Sequence, residues 1–206
     1  IRDIRKLKKS AAPFFLSAGF ISTHLPFNAP KKYWDLYDRT TITQPENYNY
    51  IPKNAPKMSI SNWPEMRAYS NSPNNGQVSD SIAIDLIHGY YATVSYVDAL
   101  IGKILDELKE QKLDHNTIVI LVSDHGYNLQ EHTQWAKFTS YNTSTQVPLV
   151  IYNPFSKAKG TTNALTSLVD VYPTIAELCG LGAPENQLDG TSLAPVLNNP
   201  NLGGKS

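Results

Sequence analysis

Hydrophobic residues recur along the chain with two periods, and each period predicts a different kind of element. From residue 82 to residue 108, apolar side chains follow the three-and-four spacing that predicts one long helix. The same spacing in residues 1–7 indicates the end of an amphipathic helix. The segment "KKYWDLYD", from residue 31, predicts a short helix. Residues 167–182, "SLVDVYPTIAELCGLG", predict a helix that ends at a glycine.

Short apolar runs at residues 13–20 and 116–124 predict buried strands, and residues 147–154 predict another strand. Together with the helices, they give the order of an α/β protein whose mainly parallel sheet is flanked by helices. Residues 40–80 are rich in proline, asparagine, serine and tyrosine, which predicts a long irregular insertion. The tyrosines of this insertion and Trp63 favour an ordered, substrate-facing rim over disorder.

Composition excludes several classes of protein. The 18 basic and 18 acidic residues cancel, which argues against a general nucleic-acid or membrane-surface binder. No apolar run approaches the roughly 20 residues of a membrane span. A single cysteine, Cys179, excludes an internal disulfide and a cysteine-rich zinc site, and we expect it to be a small buried residue. Because the chain begins at Ile1 without a signal-peptide pattern, we expect an N-terminal part outside it.

Polar residues follow two of the predicted strands at the points where they end. His24 follows the strand at 13–20, and Asp124 ends the strand at 116–124. In a parallel sheet, ligands bind at the carboxyl ends of strands. A carboxylate at the end of a buried strand is desolvated unless a cation or hydrogen-bond donors meet it, and a metal bound by Asp124 and His125 would do so. The alternative, at equal weight, is that Asp124 caps a turn and His125 is a satisfied polar residue.

The surrounding residues leave further alternatives open. Calcium takes about six to eight oxygen ligands, so Asp124 and His125 need ligands from elsewhere. The ammonium of Lys137 suits an anionic oxygen that gains charge during a reaction, although a single lysine is more often solvated. His24 is compatible with a structural role in its loop, and Trp135 with either core packing or a pocket wall.

Four segments together resemble the sulfatase family of the alkaline-phosphatase superfamily, closest to its iduronate-2-sulfatase-like branch. They are "PFFLSAGFISTHLPFNAPKKYWDLY", "HGYYATVSYVDALIGKILDEL", "TIVILVSDHGYNLQEHTQWAKFTSYNTSTQVPLVIY" and "LVDVYPTIAELCGLGAPENQLDGTSLAPVL". The resemblance implies that Asp124 and His125 are metal ligands for Ca²⁺, with Mg²⁺ less expected. It implies that His24 and Lys137 are catalytic and bind the sulfate ester, and we expect Trp135 to line the substrate pocket beside them.

The chain also departs from the family pattern. Ser22 and Thr23 stand where the family often has a basic residue and a proline, and Gln130 stands where it often has a glycine. The paired-aspartate metal motif and the Cys-x-Pro-x-Arg motif, whose cysteine becomes formylglycine, are not in the chain. We therefore expect residues 1–206 to be the C-terminal portion of a sulfatase-like catalytic domain. The fold would be incomplete without the N-terminal part of the same enzyme, which would supply the formylglycine.

The resemblance implies an enzyme that removes sulfate from a carbohydrate, such as a uronate-containing polysaccharide or its oligosaccharides. This chain alone would lack the nucleophile and be inactive. One alternative is a phosphoryl or phosphonate hydrolase of the same superfamily. Another is a non-catalytic domain that binds sulfated glycans through the basic cluster at residues 5–9 and the aromatic insertion. By resemblance, we expect a secreted, periplasmic or lysosomal protein, with neither a nucleic-acid partner nor a membrane span.

Overall fold

The computed structural model describes residues 1–10 and 12–202, which fall into two compact units. The first unit contains Ile1–Asp114 and Leu121–Val150, and the second contains His115–Ile120 and the chain from Ile151 onward. All the predicted site residues belong to the first unit.

Seven helices and four strands are formed by the described residues. The helices are α1 (Arg2–Leu7), α2 (Lys31–Trp34), α3 (Pro64–Arg67), α4 (Asp80–Glu110), α5 (Asn142–Thr145), α6 (Val171–Leu178) and α7 (Ala194–Asn198). The strands are β1 (Val119–Val122), β2 (Asn128–Leu129), β3 (Trp135–Ala136) and β4 (Leu149–Tyr152). Short 3-10 turns occur at Arg39–Thr41, Lys57–Ser59, Glu131–Thr133, Leu168–Asp170 and Glu185–Gln187.

The long helix α4 confirms the strongest periodic signal of the sequence. Ser79 caps its first turn, because the Ser79 hydroxyl accepts a hydrogen bond from the Ile82 N–H at 3.4 Å. At its other end Lys112 takes a left-handed conformation (φ 55°), and the Leu113 N–H donates to the Leu108 carbonyl at 2.8 Å. This pattern is a Schellman motif, which satisfies carbonyls that the helix end would leave without partners.

The core of the first unit lies between α4, the loop after His24 and the 61–78 segment. Its buried side chains are Leu25, Phe27, Trp63, Met66, Val78, Ala83, Ile87 and Trp135. Helix α2 packs on α4 at Gly89, where an added Cβ would lie 2.9 Å from the Trp34 ring. The core therefore fixes α4, α3 and β3 against one another, and these elements position the site described below.

The strand predictions need two corrections. Residues 13–20 do not form a strand, and Phe15 is 77% exposed. Strands β1 and β4 form at the predicted places and pair with each other, but Val122 is 40% exposed, so β1 is not a buried central strand. The physical reason is that none of the described residues covers these apolar side chains. Strands β2 and β3 pair antiparallel, and with two sheets of two strands the mainly parallel sheet is not confirmed by the described residues.

The second unit is organised around the buried Asp170. One carboxylate oxygen of Asp170 accepts from the Ser167 N–H, and the other accepts from the Thr191 N–H, both at 2.8 Å. Helix α6 follows and ends as predicted at a glycine, Gly180, with φ 65°. Cys179 is exposed at the C-cap of α6, directly after the last helical residue, so the expectation of a buried cysteine is wrong.

Among residues 1–10 and 12–202, none of the helices combines the length and the hydropathy needed to cross a lipid bilayer.

Candidate active site

His24 is held by its own loop with one ring nitrogen facing the site. Its backbone N–H donates to the Ile21 carbonyl at 3.0 Å, and the ring Nδ1 lies 2.8 Å from the Leu25 carbonyl oxygen. Since a carbonyl only accepts hydrogen bonds, Nδ1 carries the hydrogen of this contact. The second ring nitrogen, Nε2, is therefore the atom that His24 presents to other groups.

Lys137 meets His24 although the two residues are 113 positions apart in the chain. Its Nζ lies 2.9 Å from His24 Nε2, and its side chain is 15% exposed. Lys137 follows β3, whose residue Ala136 has φ 63°, a left-handed conformation that turns the chain directly before the lysine. The structure thus brings together the two residues that we expected to bind a sulfate ester.

A third polar residue, Glu65 of α3, completes this cluster. Glu65 Oε1 lies 2.7 Å from His24 Nε2 and 3.2 Å from Lys137 Nζ. Sequence reasoning missed Glu65 because it lies in the irregular insertion at 40–80. The one local signal is "NWPEM", where a proline opens a helical turn and would have indicated order within the insertion.

The contacts of His24 constrain where protons sit in this cluster. With its hydrogen on Nδ1, a neutral imidazole presents a lone pair at Nε2, which accepts a hydrogen bond from the Lys137 ammonium. The 2.7 Å contact between Nε2 and the Glu65 carboxylate instead requires a proton between those two atoms. Protonated His24 and Lys137 would then both donate to Glu65, whose negative charge offsets their positive charges.

His24 also lines a cavity of about 280 Å³ together with both predicted metal ligands, Asp124 and His125. The cavity is bordered by Tyr127, which stacks on Tyr90 with ring centroids 5.5 Å apart. Burial, and after it the charge of Glu65, raises the pKa of Tyr127 far above its ordinary value. Three of the five predicted site residues, His24, Asp124 and His125, therefore line one cavity, and Lys137 contacts His24 without lining it.

Asp124 and His125 are oriented by short local bonds. The His125 N–H donates to Asp124 Oδ1 at 3.0 Å, and the ring Nδ1 lies 2.7 Å from the Gly126 carbonyl. The Asp124 side chain is 87% exposed and its Oδ2 lies 3.8 Å from His125 Nε2. The local bond to Asp124 also agrees with the turn-capping alternative that the sequence left open.

Gly126 explains why the chain can turn at this point. A Cβ at Gly126 would lie 2.1 Å from the Thr143 carbonyl oxygen, and the Gly126 N–H donates to the Ser144 carbonyl at 2.8 Å. Only a residue without a side chain fits against the 143–144 backbone, and this contact fixes the two residues before it.

The donor set is consistent with part of a metal site. The carboxylate of Asp124 is the kind of oxygen ligand that calcium prefers, and His125 adds one nitrogen. Two donors are fewer than calcium takes. No group of three or more histidine, cysteine, aspartate or glutamate residues that could hold a metal occurs within residues 1–10 and 12–202. The remaining ligands would have to come from other groups.

Trp135 and Gln130 are placed by packing and backbone conformation. Trp135 is 1% exposed and belongs to the hydrophobic core, so the structure supports the packing alternative and not the pocket wall that we expected. Gln130, at the position where the family often has glycine, adopts φ 85°. Its buried side chain accepts a hydrogen bond from Gln44 at 2.9 Å, which offsets some of the cost of this left-handed conformation.

Comparison with known proteins identifies relatives over most of the chain. The profile of the sulfatase family matches residues 2–181. Iduronate 2-sulfatase of Mus musculus is 33% identical over 89% of this chain and 39% of that protein. Choline-sulfatase of Rhizobium meliloti is 31% identical over 92% of this chain and 36% of that protein. The chain thus spans well under half the length of these relatives.

Solved structures share the architecture. A phosphonate monoester hydrolase from Silicibacter pomeroyi aligns with a TM-score of 0.73 at 26% identity, over 91% of this chain and 38% of that one. A protein solved in complex with its substrate D-glucosamine-2-N,6-O-disulfate aligns with a TM-score of 0.56 at 34% identity, over 69% of this chain and 28% of that one. These neighbours support the alkaline-phosphatase and sulfatase-like fold class. Family profile, relatives and structures agree, and the chain belongs to the sulfatase family.

Proposed function

We propose that the enzyme containing this chain hydrolyses sulfate esters, and that this chain supplies the groups that hold the sulfate. The observation that carries the proposal is the 2.9 Å contact between Lys137 Nζ and His24 Nε2, together with the cavity that His24 lines with Asp124 and His125. These groups come from distant segments, and His24 contacts the ammonium of Lys137 and also lines the cavity of the two predicted metal ligands. A sulfate monoester needs such an arrangement, since it carries a negative charge on oxygens that must be held during reaction.

In this proposal, Lys137 binds the oxygens of the sulfate group, and His24 orients the leaving alcohol or protonates it. The three N–H donors of Lys137 Nζ are enough to contact Glu65 and the sulfate oxygens while His24 Nε2 carries a proton and accepts nothing from the lysine. His24, locked by Leu25, can hold a proton at Nε2 for the oxygen of the leaving alcohol. Loss of one such donor from an oxyanion site typically costs about 10²–10³ in rate.

Asp124 and His125 would hold the metal ion, Ca²⁺ in preference to Mg²⁺. When bound, the ion supplies positive charge beside the sulfate oxygens and the nucleophile. We further propose that the N-terminal part of the same enzyme contributes the remaining ligands and a formylglycine nucleophile. On this view the 206-residue chain alone hydrolyses no sulfate ester, and measurable aryl sulfatase activity of the chain would contradict it.

A sulfated carbohydrate, for example a uronate-containing polysaccharide or its oligosaccharides, is the proposed substrate. The name of the iduronate 2-sulfatase relative and the disulfated glucosamine in a structural neighbour support this class. A location outside the cytoplasm, secreted, periplasmic or lysosomal, is proposed with it. The glycan-binding alternative is weakened because Arg5, of the basic cluster, is paired with Glu107 through two contacts of 2.7 Å.

The test uses the full-length enzyme with 4-nitrophenyl sulfate, sulfated uronate oligosaccharides and a phosphonate monoester. We expect hydrolysis of the sulfates and weak or no hydrolysis of the phosphonate; the reverse preference would favour the phosphonate hydrolase alternative. Asp124→Ala should lose bound calcium, measured by elemental analysis, and turnover. Asp106→Ala, at an exposed position of α4, is the matched control and should keep both.

A further inference from the structure

Glu65 lies in a short segment, Trp63 to Met66, whose two end residues are anchored in the core. Helix α3 begins at Pro64, directly after Trp63, which takes a left-handed conformation with φ 46°. Trp63 and Met66, on either side of Glu65 in the sequence, are both buried in the core. Because its neighbours are anchored in this way, the Glu65 backbone has little freedom to move away from His24 and Lys137.

Arg67 closes the segment that carries Glu65. Its guanidinium donates to the carbonyls of Asn62, Pro73 and Gly76 at 2.8, 2.7 and 3.0 Å, and it lies 4.2 Å from the centroid of the Trp63 ring. One side chain thus ties together both ends of residues 62–76. A loop held by three charge-assisted hydrogen bonds and a cation–π contact is ordered by its own residues.

The segment before Lys137 is also hydrogen-bonded to the segment that carries Glu65. Gln134 is fully buried, and its side-chain oxygen accepts a hydrogen bond from the Ser61 N–H at 2.8 Å. The stretch from Gln134 to Lys137 therefore fixes the start of the α3 segment at one end and supplies the ammonium at the other. The relative position of Glu65 and Lys137 is set by two independent connections, the Gln134 bond and the direct ion pair at 3.2 Å.

The positive charges of Lys137 and protonated His24 explain why a carboxylate, that of Glu65, lies beside them. Two basic groups 2.9 Å apart repel each other whenever His24 is protonated, and a shared carboxylate offsets that repulsion. Glu65 Oε1 touches both groups, while Glu65 Oε2 is buried and has no hydrogen-bond partner among the described residues. A buried carboxylate oxygen without a partner lowers the stability of the fold. This cost indicates that Glu65 serves the active site and not the stability of the protein.

We propose that Glu65 is a positioning residue, which holds Lys137 Nζ and His24 Nε2 at one point for the reacting sulfate ester. This inference rests on the proposed function. Without the carboxylate, the repulsion between the ammonium and the protonated imidazole is no longer offset, and neither group keeps the geometry that the transition state needs. A misplacement of about 1 Å costs as much as about 100-fold in rate.

The kinetic test compares Glu65→Gln with wild type in the full-length enzyme on 4-nitrophenyl sulfate. The change keeps the shape of the side chain and removes its charge. We expect kcat to fall about 10- to 100-fold while KM changes less than about threefold, since the interaction acts mainly in the transition state. Glu65→Asp should recover part of the loss. Glu107→Gln, the same change in a carboxylate paired with Arg5, is the matched control and should keep the wild-type kcat.

A double variant separates positioning from a general structural effect. If Glu65 acts through Lys137 and His24, the loss in Glu65→Gln/Lys137→Ala should be clearly smaller than the product of the two single losses, because one of the two positioned groups is already gone. Multiplied losses in the double variant, or a wild-type or higher kcat for Glu65→Gln alone, would overturn the proposal.

A crystal structure of the full-length enzyme with inorganic sulfate decides the point even if the enzyme turns over no sulfate ester. The proposal requires Glu65 Oε1 within hydrogen-bond distance of both Lys137 Nζ and His24 Nε2 while sulfate is bound. Sulfate in the place of the carboxylate, with Glu65 turned away, would show a competing anion and overturn it. Failure of wild-type turnover would instead count against the proposed function alone.

Discussion

Replacing Gly126 with alanine tests how the backbone positions Asp124 and His125. The new Cβ would lie 2.1 Å from the Thr143 carbonyl oxygen and 3.0 Å from its carbon. Both atoms belong to backbone, so no flexible side chain can move aside. The turn and the 143–144 segment must separate by about 1 Å, because interiors are close-packed and cannot absorb such an overlap.

The expected cost has two parts. Overpacking of this kind costs about 1–3 kcal/mol. The separation also stretches the 2.8 Å hydrogen bond from the Gly126 N–H to the Ser144 carbonyl, a bond worth about 0.5–1.5 kcal/mol. We therefore expect Gly126→Ala to lower the free energy of unfolding by about 2–4 kcal/mol.

Urea denaturation of the variant and of wild type, compared at equal m-values, measures this difference. Gly102→Ala is the matched control, because Gly102 lies in α4 with no atom within 4 Å of its would-be Cβ. That variant should gain about 0.5–1 kcal/mol from the helix propensity of alanine. Equal stabilities of Gly126→Ala and wild type would refute the close approach to Thr143 and the positioning argument built on it.

Three further predictions concern stability. Asp170→Ala should cost about 2–5 kcal/mol in urea denaturation, because it leaves the Ser167 and Thr191 N–H groups without their acceptor; a cost below about 1 kcal/mol would contradict that role. The second prediction concerns Glu107, whose hydrogen bond and ion pair with Arg5 lower the pKa of the Glu107 carboxyl. This pair therefore stabilises the fold above about pH 4.3, and the contribution is lost as the pH falls through the lowered pKa. The stability difference between wild type and Arg5→Met should therefore shrink in acid, and a constant difference from pH 7 to pH 3 would refute the assignment. Tyr127→Phe should be neutral or stabilising at pH 7, since the buried hydroxyl has no hydrogen-bond partner among the described residues. Because burial raises the pKa of Tyr127, wild type should lose more stability than this variant above about pH 10, and equal alkaline losses would contradict that.

Local patterns predicted the helices well because their causes are local. The apolar spacing of α4, its Ser79 cap and the Gly180 end of α6 are all encoded within a few residues of where they act. Burial of strands is not local. The run at 13–20 has the composition of a buried strand, yet Phe15 is largely exposed, since a buried position also requires a neighbour that covers it.

The site was predictable in part for the same reason. His24 and Asp124 were found because they follow apolar runs, and Lys137 because the surrounding motif resembles the sulfatase family. Glu65 could not be found, since an acidic residue in an irregular segment carries no periodic signal and acquires its role through Arg67 and Gln134. Trp135 was assigned to the pocket, but an indole beside a site is as easily core, and only packing distinguishes the two.

The central claim is that Lys137, beside His24, holds the oxygens of a sulfate ester. Its most direct test is kcat of Lys137→Ala on a sulfate ester in the full-length enzyme, with Lys103→Ala on the exposed face of α4 as control. We predict a fall of about 10²–10³ for Lys137→Ala and an unchanged value for the control. A wild-type kcat for Lys137→Ala would contradict the account.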